Sequence, residues 1–175
     1  MTISIGTELD NHTKAFNVLG TSEEPSALDM GMAPGGFSKT ILDRYPKANV
    51  RAITLPNIDG GHAIQFDDVN LKLELRDINT LAGDLGLSSI PETHPGAQTL
   101  TVEKLLNGEA YDVAICGCQV TRTHQREQWR EHLESRRLQL AQLVIAIEHL
   151  KDNGTLIAVL HKPESFDTTE ILRLL

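Results

Sequence analysis

Apolar residues in this chain fall into short runs separated by segments of helical period. Residues 26–30 carry Ala27, Leu28 and Met30 and read as a first strand. Residues 36–45 place Phe37, Ile41 and Leu42 on one face of a helix that Pro46 stops. Residues 50–55 form a strongly apolar second strand bounded by Pro56. A polar loop follows over residues 57–70 and contains the pair Gly60-Gly61. Residues 71–75 alternate Leu71, Leu73 and Leu75 with Lys72 and Glu74, the pattern of an edge strand with one buried face. Short helices are expected over residues 80–85 and 101–106, flanking a connection rich in Pro, Gly and Ser at residues 88–97. A fourth strand covers residues 111–117. A long helix is expected over residues 126–151, charged at first and nearly all apolar from residue 138 on, so its second half packs on a sheet. Asn153 and Gly154 are expected to cap it. Residues 155–161 read as a fifth strand. Residues 167–175 open a last helix with Asp167 as N-cap. The first twenty residues have no clear period, though residues 9–19 fit a short helix.

Alternating strands and helices predict an α/β fold, a parallel, doubly wound, Rossmann-like sheet of about five strands. An N-terminal segment, residues 1–24, precedes a domain over residues 25–175. In such sheets ligands bind beyond the carboxyl ends of the strands, near the point where strand order reverses. The turn after the first strand lies there, and it reads Asp29-Met30-Gly31-Met32-Ala33-Pro34-Gly35-Gly36-Phe37-Ser38. Glycines permit positive φ and close approach of backbone N–H groups to a ligand. The spacing matches neither a dinucleotide fingerprint nor a P-loop, since no Lys-Ser or Lys-Thr pair follows the glycines.

The string D-x-G-x-A-P-G-G-F-S resembles the first cofactor motif of the FtsJ-like methyltransferases, many of which methylate ribose 2′-hydroxyls of RNA. The resemblance implies a class I methyltransferase sheet and S-adenosyl-L-methionine as cofactor. It implies that Gly31, Ala33, Pro34, Gly35, Gly36 and Phe37 lie against the methionine and ribose portions of that cofactor. Asp29 reads either as an anchor of the turn or as a partner of the cofactor amino group. Where the family often has an acid that holds the ribose hydroxyls, this chain has Thr54. Asp77 and Ile78 match the adenine-reading position, the carboxylate accepting from the amino group and Ile78 covering the ring. Asp77 also reads as the N-cap of the next helix.

The family's ribose chemistry uses a Lys-Asp-Lys-Glu set, and this chain departs from it. Gly117 stands where the Asp belongs and Val159 where the second Lys belongs. Lys14 is the sole candidate for the first Lys, and the Glu would fall beyond Leu175. His161 and Lys162 leave the fifth strand on the ligand side and are the candidate catalytic residues, His161 for proton transfer and Lys162 for orientation. Cys116 or Cys118 as nucleophile, and Trp129 as a stacking platform, are weaker readings than small residues at a strand tip and a core anchor. The chain therefore reads as a methyltransferase domain of RNA ribose 2′-O type. The alternatives are a catalytically degenerate cofactor-binding or protein-interaction domain, or a methyltransferase acting on a small molecule or a protein.

Composition sharpens these alternatives. A chain of 175 residues, 40% apolar, is long enough for one domain with a real core. Its net charge of −8 offers no basic footprint, so RNA as a partner rests on the resemblance alone. The two cysteines are too close for a disulfide framework and lack metal-ligand company. No apolar run reaches a membrane span and residues 1–14 are no signal peptide, so an intracellular protein of cytoplasm or nucleus is expected. The family's sheet continues beyond a fifth strand. The apolar edge at residues 156–160 is thus expected to self-associate, to meet a partner, or to belong to a longer protein.

Overall fold

Apolar runs buried on both faces form the central strands of a parallel sheet, which has five strands among the described residues. The computed structural model describes residues 3–124, 126, 128–160 and 164–174. Strands β1 (Ser26–Met30), β2 (Asn49–Thr54), β3 (Leu71–Leu75), β4 (Tyr111–Cys116) and β5 (Leu150–Ala158) lie in the order β3-β2-β1-β4-β5. Every neighbouring pair is parallel, with Leu28 opposite Arg51 on one side and Ala114 on the other. Order reverses between β1 and β4, which opens the crevice of a doubly wound sheet.

The period of two divides the strands between two cores. Ala27, Val50, Val113 and Ile115 face α2 (Gly36–Arg44) through Phe37 and Ile41. Phe16 and Leu19 complete that core from the N-terminal segment, which begins with α1 (Ile3–Thr13). Asp10, fully buried, accepts the Phe16 N–H at 2.8 Å and pairs with Arg44 of α2, which fixes the segment to the sheet. Leu28, Met30, Ile53 and Ala114 face the other way, toward Leu138, Ala141 and Ile145 of α4 (Glu134–His149).

Several elements differ from expectation. The region 9–19 is not one helix: α1 ends at Thr13, Lys14 takes φ 59°, and a 3₁₀ turn covers Asn17–Gly20. The helices expected at 80–85 and 101–106 are absent, and a 3₁₀ turn at Ile78–Thr80 leads into hydrogen-bonded turns. Six residues seldom nucleate a helix alone. Here Asp84 accepts the N–H groups of Leu105 and Leu106 at 2.9 Å each, and Gly83 and Thr101 bond across the two segments. The long helix breaks after α3 (Gln128–Glu131) and resumes as α4, with Leu133 at φ −124° between them. The pair Asn153-Gly154 does turn the chain, Asn153 at φ 62°, but inside β5 rather than at a helix end. Tyr111 pairs with Leu150 and Val113 already with Thr155, so the turn is an irregularity that bulges β5 against β4. The last helix, α5 (Phe166–Leu174), is capped by Ser165, whose hydroxyl accepts the Thr168 N–H at 3.3 Å; Asp167 is the second residue of the helix and not its cap.

Candidate functional site

A cleft opens beyond the carboxyl ends of β1 to β4, where a doubly wound sheet takes its ligands. Two strand ends form its floor by crossing closely. Gly31, at φ 83°, would place a Cβ 2.5 Å from the Cys118 nitrogen and 2.7 Å from its Cα. Gly117 donates its N–H to the Met30 carbonyl at 2.8 Å. Buried Gln142 of α4 holds the following residue by both ends, accepting the Cys118 N–H at 2.9 Å and donating to its carbonyl at 3.1 Å. Glycine at 31 is thus demanded by the packing of β1 on β4.

The structure brings together Gly31, Ala33, Thr54, Asp77 and Ile78 along this cleft. It leaves Asp29, Pro34, Gly35, Gly36 and Phe37 off the lining. Asp29 points with Ala27 toward α2, where it is 1% exposed and accepts the Ser38 hydroxyl at 2.5 Å. Burial pushes its carboxyl up to about 6, against the lowering effect of the Ser38 hydrogen bonds. Gly35 starts α2 at φ 118°, and a side chain there would meet the Phe66 ring rather than the cleft. Phe37 belongs to the α2 core. Thr54, 4% exposed, accepts the Ala33 N–H at 3.3 Å. His161 and Lys162 lie outside the described residues.

Other lining groups had little signal in the sequence. Gly61 and His62 reach the cleft from the loop after β2, and only the glycine pair marked that loop. The Gly60 carbonyl accepts the hydroxyls of Thr121 and Thr123 at 3.1 and 2.9 Å, so the loops after β2 and β4 meet over the cleft. Leu138 of α4 supplies an apolar wall. Trp129 is half-buried rather than a core anchor, edge-on to His94 at 5.2 Å, with Arg137 5.1 Å over its ring.

A model of the FtsJ-like methyltransferase family matches residues 7–175. The chain belongs to that family. Its cofactor is S-adenosylmethionine. Among solved structures, a protein assigned as a ribosomal RNA methyltransferase from Plasmodium falciparum is 20% identical, with a TM-score of 0.56. The match covers 98% of this chain and 81% of that one, and it shows the same fold. CalS10, an amino pentose methyltransferase from Micromonospora echinaspora, is 16% identical, with a TM-score of 0.47, over 93% of this chain and 51% of that one. No curated protein matches the chain in sequence.

The residues of this FtsJ-like domain fit the cofactor in their chemistry. Ile78 and Leu138 offer apolar faces to a base, Asp77 offers a carboxylate, and Gly31, Gly61 and Gly117 add no side-chain bulk. At the β2 end Thr54 offers a hydroxyl where a carboxylate would bind a ribose more strongly. Asp77 is also the cap its alternative reading described, for it accepts the Asn79 N–H at 3.0 Å. It pairs in addition with Arg130 at 2.7 Å, and His124 lies 3.6 Å away. The thiols are poor nucleophiles. Burial pushes Cys116 up to about 12, and burial with the Cys116, Asp29 and Asp77 charges raises Cys118. Among the described residues, no helix is long and apolar enough to cross a membrane.

Proposed function

We propose that the cleft holds S-adenosylmethionine and that the domain directs its methyl group to RNA, at a ribose 2′-hydroxyl. One observation carries the cofactor placement: Asp77, Ile78, Thr54, Ala33 and Gly31 converge on a single cleft at the switch point of the sheet. Asp77 and Ile78 then hold the base, Thr54 the ribose, and Gly31 with Ala33 the methionine portion. Pro34, Gly35, Gly36 and Phe37 shape the turn and start α2. The sulfonium supplies an activated methyl group, so the chain's own task is to orient the acceptor and handle its proton. RNA as acceptor is supported by the family and by the Plasmodium falciparum neighbour, and the net charge of −8 calls for basic groups supplied locally. His161 and Lys162, which follow β5 in the chain, are the candidates, His161 for proton transfer and Lys162 for orientation.

A second reading has its own observation. Gly117 has no carboxylate to offer, and a Cβ there would sit 3.1 Å from the Met30 carbonyl, so the strand ends are packed for glycine. Val159 uses its N–H on the Cys116 carbonyl at 2.9 Å and brings no amine. A cofactor-binding domain with little or no transfer fits these residues. Calorimetry with S-adenosylhomocysteine and tritium transfer from S-adenosylmethionine to RNA, protein and small-molecule pools separate the readings. Saturable binding is expected, with label entering RNA at a rate about two to four powers of ten below that of an enzyme with the full set of proton-handling groups. Binding without label in any pool establishes the second reading. No binding in a folded protein refutes both.

A further inference from the structure

Asp77 belongs to a closed circuit of hydrogen bonds. Its Oδ1 accepts the Asn79 N–H at 3.0 Å, and its Oδ2 accepts from Arg130 Nη2 at 2.7 Å. Arg130 donates to both oxygens of Glu134, from Nη2 at 2.6 Å and Nε at 3.2 Å. Asn79 returns the circuit by donating its amide to Glu134 at 2.9 Å. Asn79, Arg130 and Glu134 are 5%, 9% and 2% exposed. Asp77, His124 and Glu134 bring ligand atoms within 4.8 Å of one another, and the cation among them is the Arg130 guanidinium. Burial lowers that guanidinium's pKa, but the Glu134 and Asp77 carboxylates outweigh it and raise the pKa overall.

We propose that Arg130, locked by Glu134 and Asn79, is the positioning residue that sets the Asp77 carboxylate for the base of the cofactor. This rests on the reading of Asp77 as the base-facing group. A carboxylate bonded through one oxygen still turns about its χ2. Bonds to different oxygens from the Asn79 backbone and the planar Arg130 fork fix its plane, and each oxygen keeps a lone pair for the cleft. Arg130 itself has little freedom, since its Nε and Nη2 are spent on a buried carboxylate. A flexible lysine at this position would keep the charge and lose the fork. Arg130 on α3 and Glu134 at the start of α4 keep the i, i+4 spacing of a continuous helix across the break between them.

The test compares the affinity for S-adenosylhomocysteine with that for its 6-deamino purine analogue, which lacks the amino donor and nothing else. The native chain is expected to favour the adenine form by roughly tenfold or more, the usual effect of a hydrogen bond to a charged acceptor. Asp77→Ala should bring the ratio close to one. Arg130→Met leaves the Glu134 charge buried without its cation and risks the fold, so the double variant Arg130→Met/Glu134→Leu is measured beside it, with its melting temperature. A ratio within about threefold of one in the folded double variant, partly recovered in Arg130→Lys, supports positioning. Full native discrimination in the double variant, with loss in Asp77→Ala, overturns the role of Arg130 and leaves Asp77 in place. Full discrimination in Asp77→Ala overturns the base-facing reading itself, and the positioning role with it.

Discussion

Gly31→Val should lower the melting temperature by roughly 10 °C or more and abolish cofactor binding. Two costs combine at this position. A side chain at φ 83° sits in the left-handed region, at about 1–2 kcal/mol. Its Cβ would also lie within 2.7 Å of three backbone atoms, the Cys118 nitrogen and Cα and the Gly117 carbonyl carbon. Backbone held by Gln142 and by the β1–β4 ladder cannot move aside as a flexible side chain can. The sum is put at about 4 kcal/mol, among the larger effects of a single change. Gly86→Val isolates the first cost, because Gly86 has φ 88° and nothing within 4 Å of a Cβ. It should cost only the backbone term of about 1–2 kcal/mol. Thermal melts of the two variants measure the difference. Equal melting temperatures would show that the strand ends do not cross tightly, and the account of the cleft floor would fall.

Asp29→Asn should gain stability relative to the native chain as pH rises from 4 to 8. Burial sets the folded carboxyl near pH 6, above its unfolded value of 3.8. Between those values the folded state keeps a proton that the unfolded state has released. The contribution of Asp29 is therefore complete below about pH 4 and is lost as pH rises through 6, about 3 kcal/mol in all. Asparagine does not ionise and still accepts from Ser38, so the variant escapes that loss. The difference in melting temperature, variant minus native, should climb by roughly 5–10 °C across this window. Taking the difference cancels the titration of every group the two chains share. Ser38→Ala removes a bond that favours the ionised form in the folded state, so the upper end of the window should move to higher pH while its lower end stays. A difference that stays flat from pH 4 to 8 would mean that Asp29 titrates like an exposed carboxyl.

Much of this domain is set by local sequence. The apolar runs at β1 and β3 and the helix stopped by Pro46 have the boundaries that period and punctuation predict, within a residue. Alternation of strand and helix determines a parallel sheet, because short crossovers leave the chain no other way to bury both faces. The string from Asp29 to Ser38 determines the family, and the switch-point rule determines which end of the sheet carries the cleft. Tertiary structure decided the rest. Asn153-Gly154 specifies a turn, but only pairing with β4 makes that turn a bulge within β5. Residues 80–85 and 101–106 have weak helical pattern, and Asp84 with the Gly83–Thr101 bond draws them into turns instead. The roles of the glycines are divided by contacts no local pattern contains: Gly31 lies against Cys118 and Gly35 against Phe66. Arg130 and Glu134 look like a solvated pair in the charged half of a helix. They are buried because Asp77 and Asn79, more than fifty residues earlier, arrive at the same place. Long-range contacts choose among the conformations that local sequence allows, and the cleft is built from such contacts.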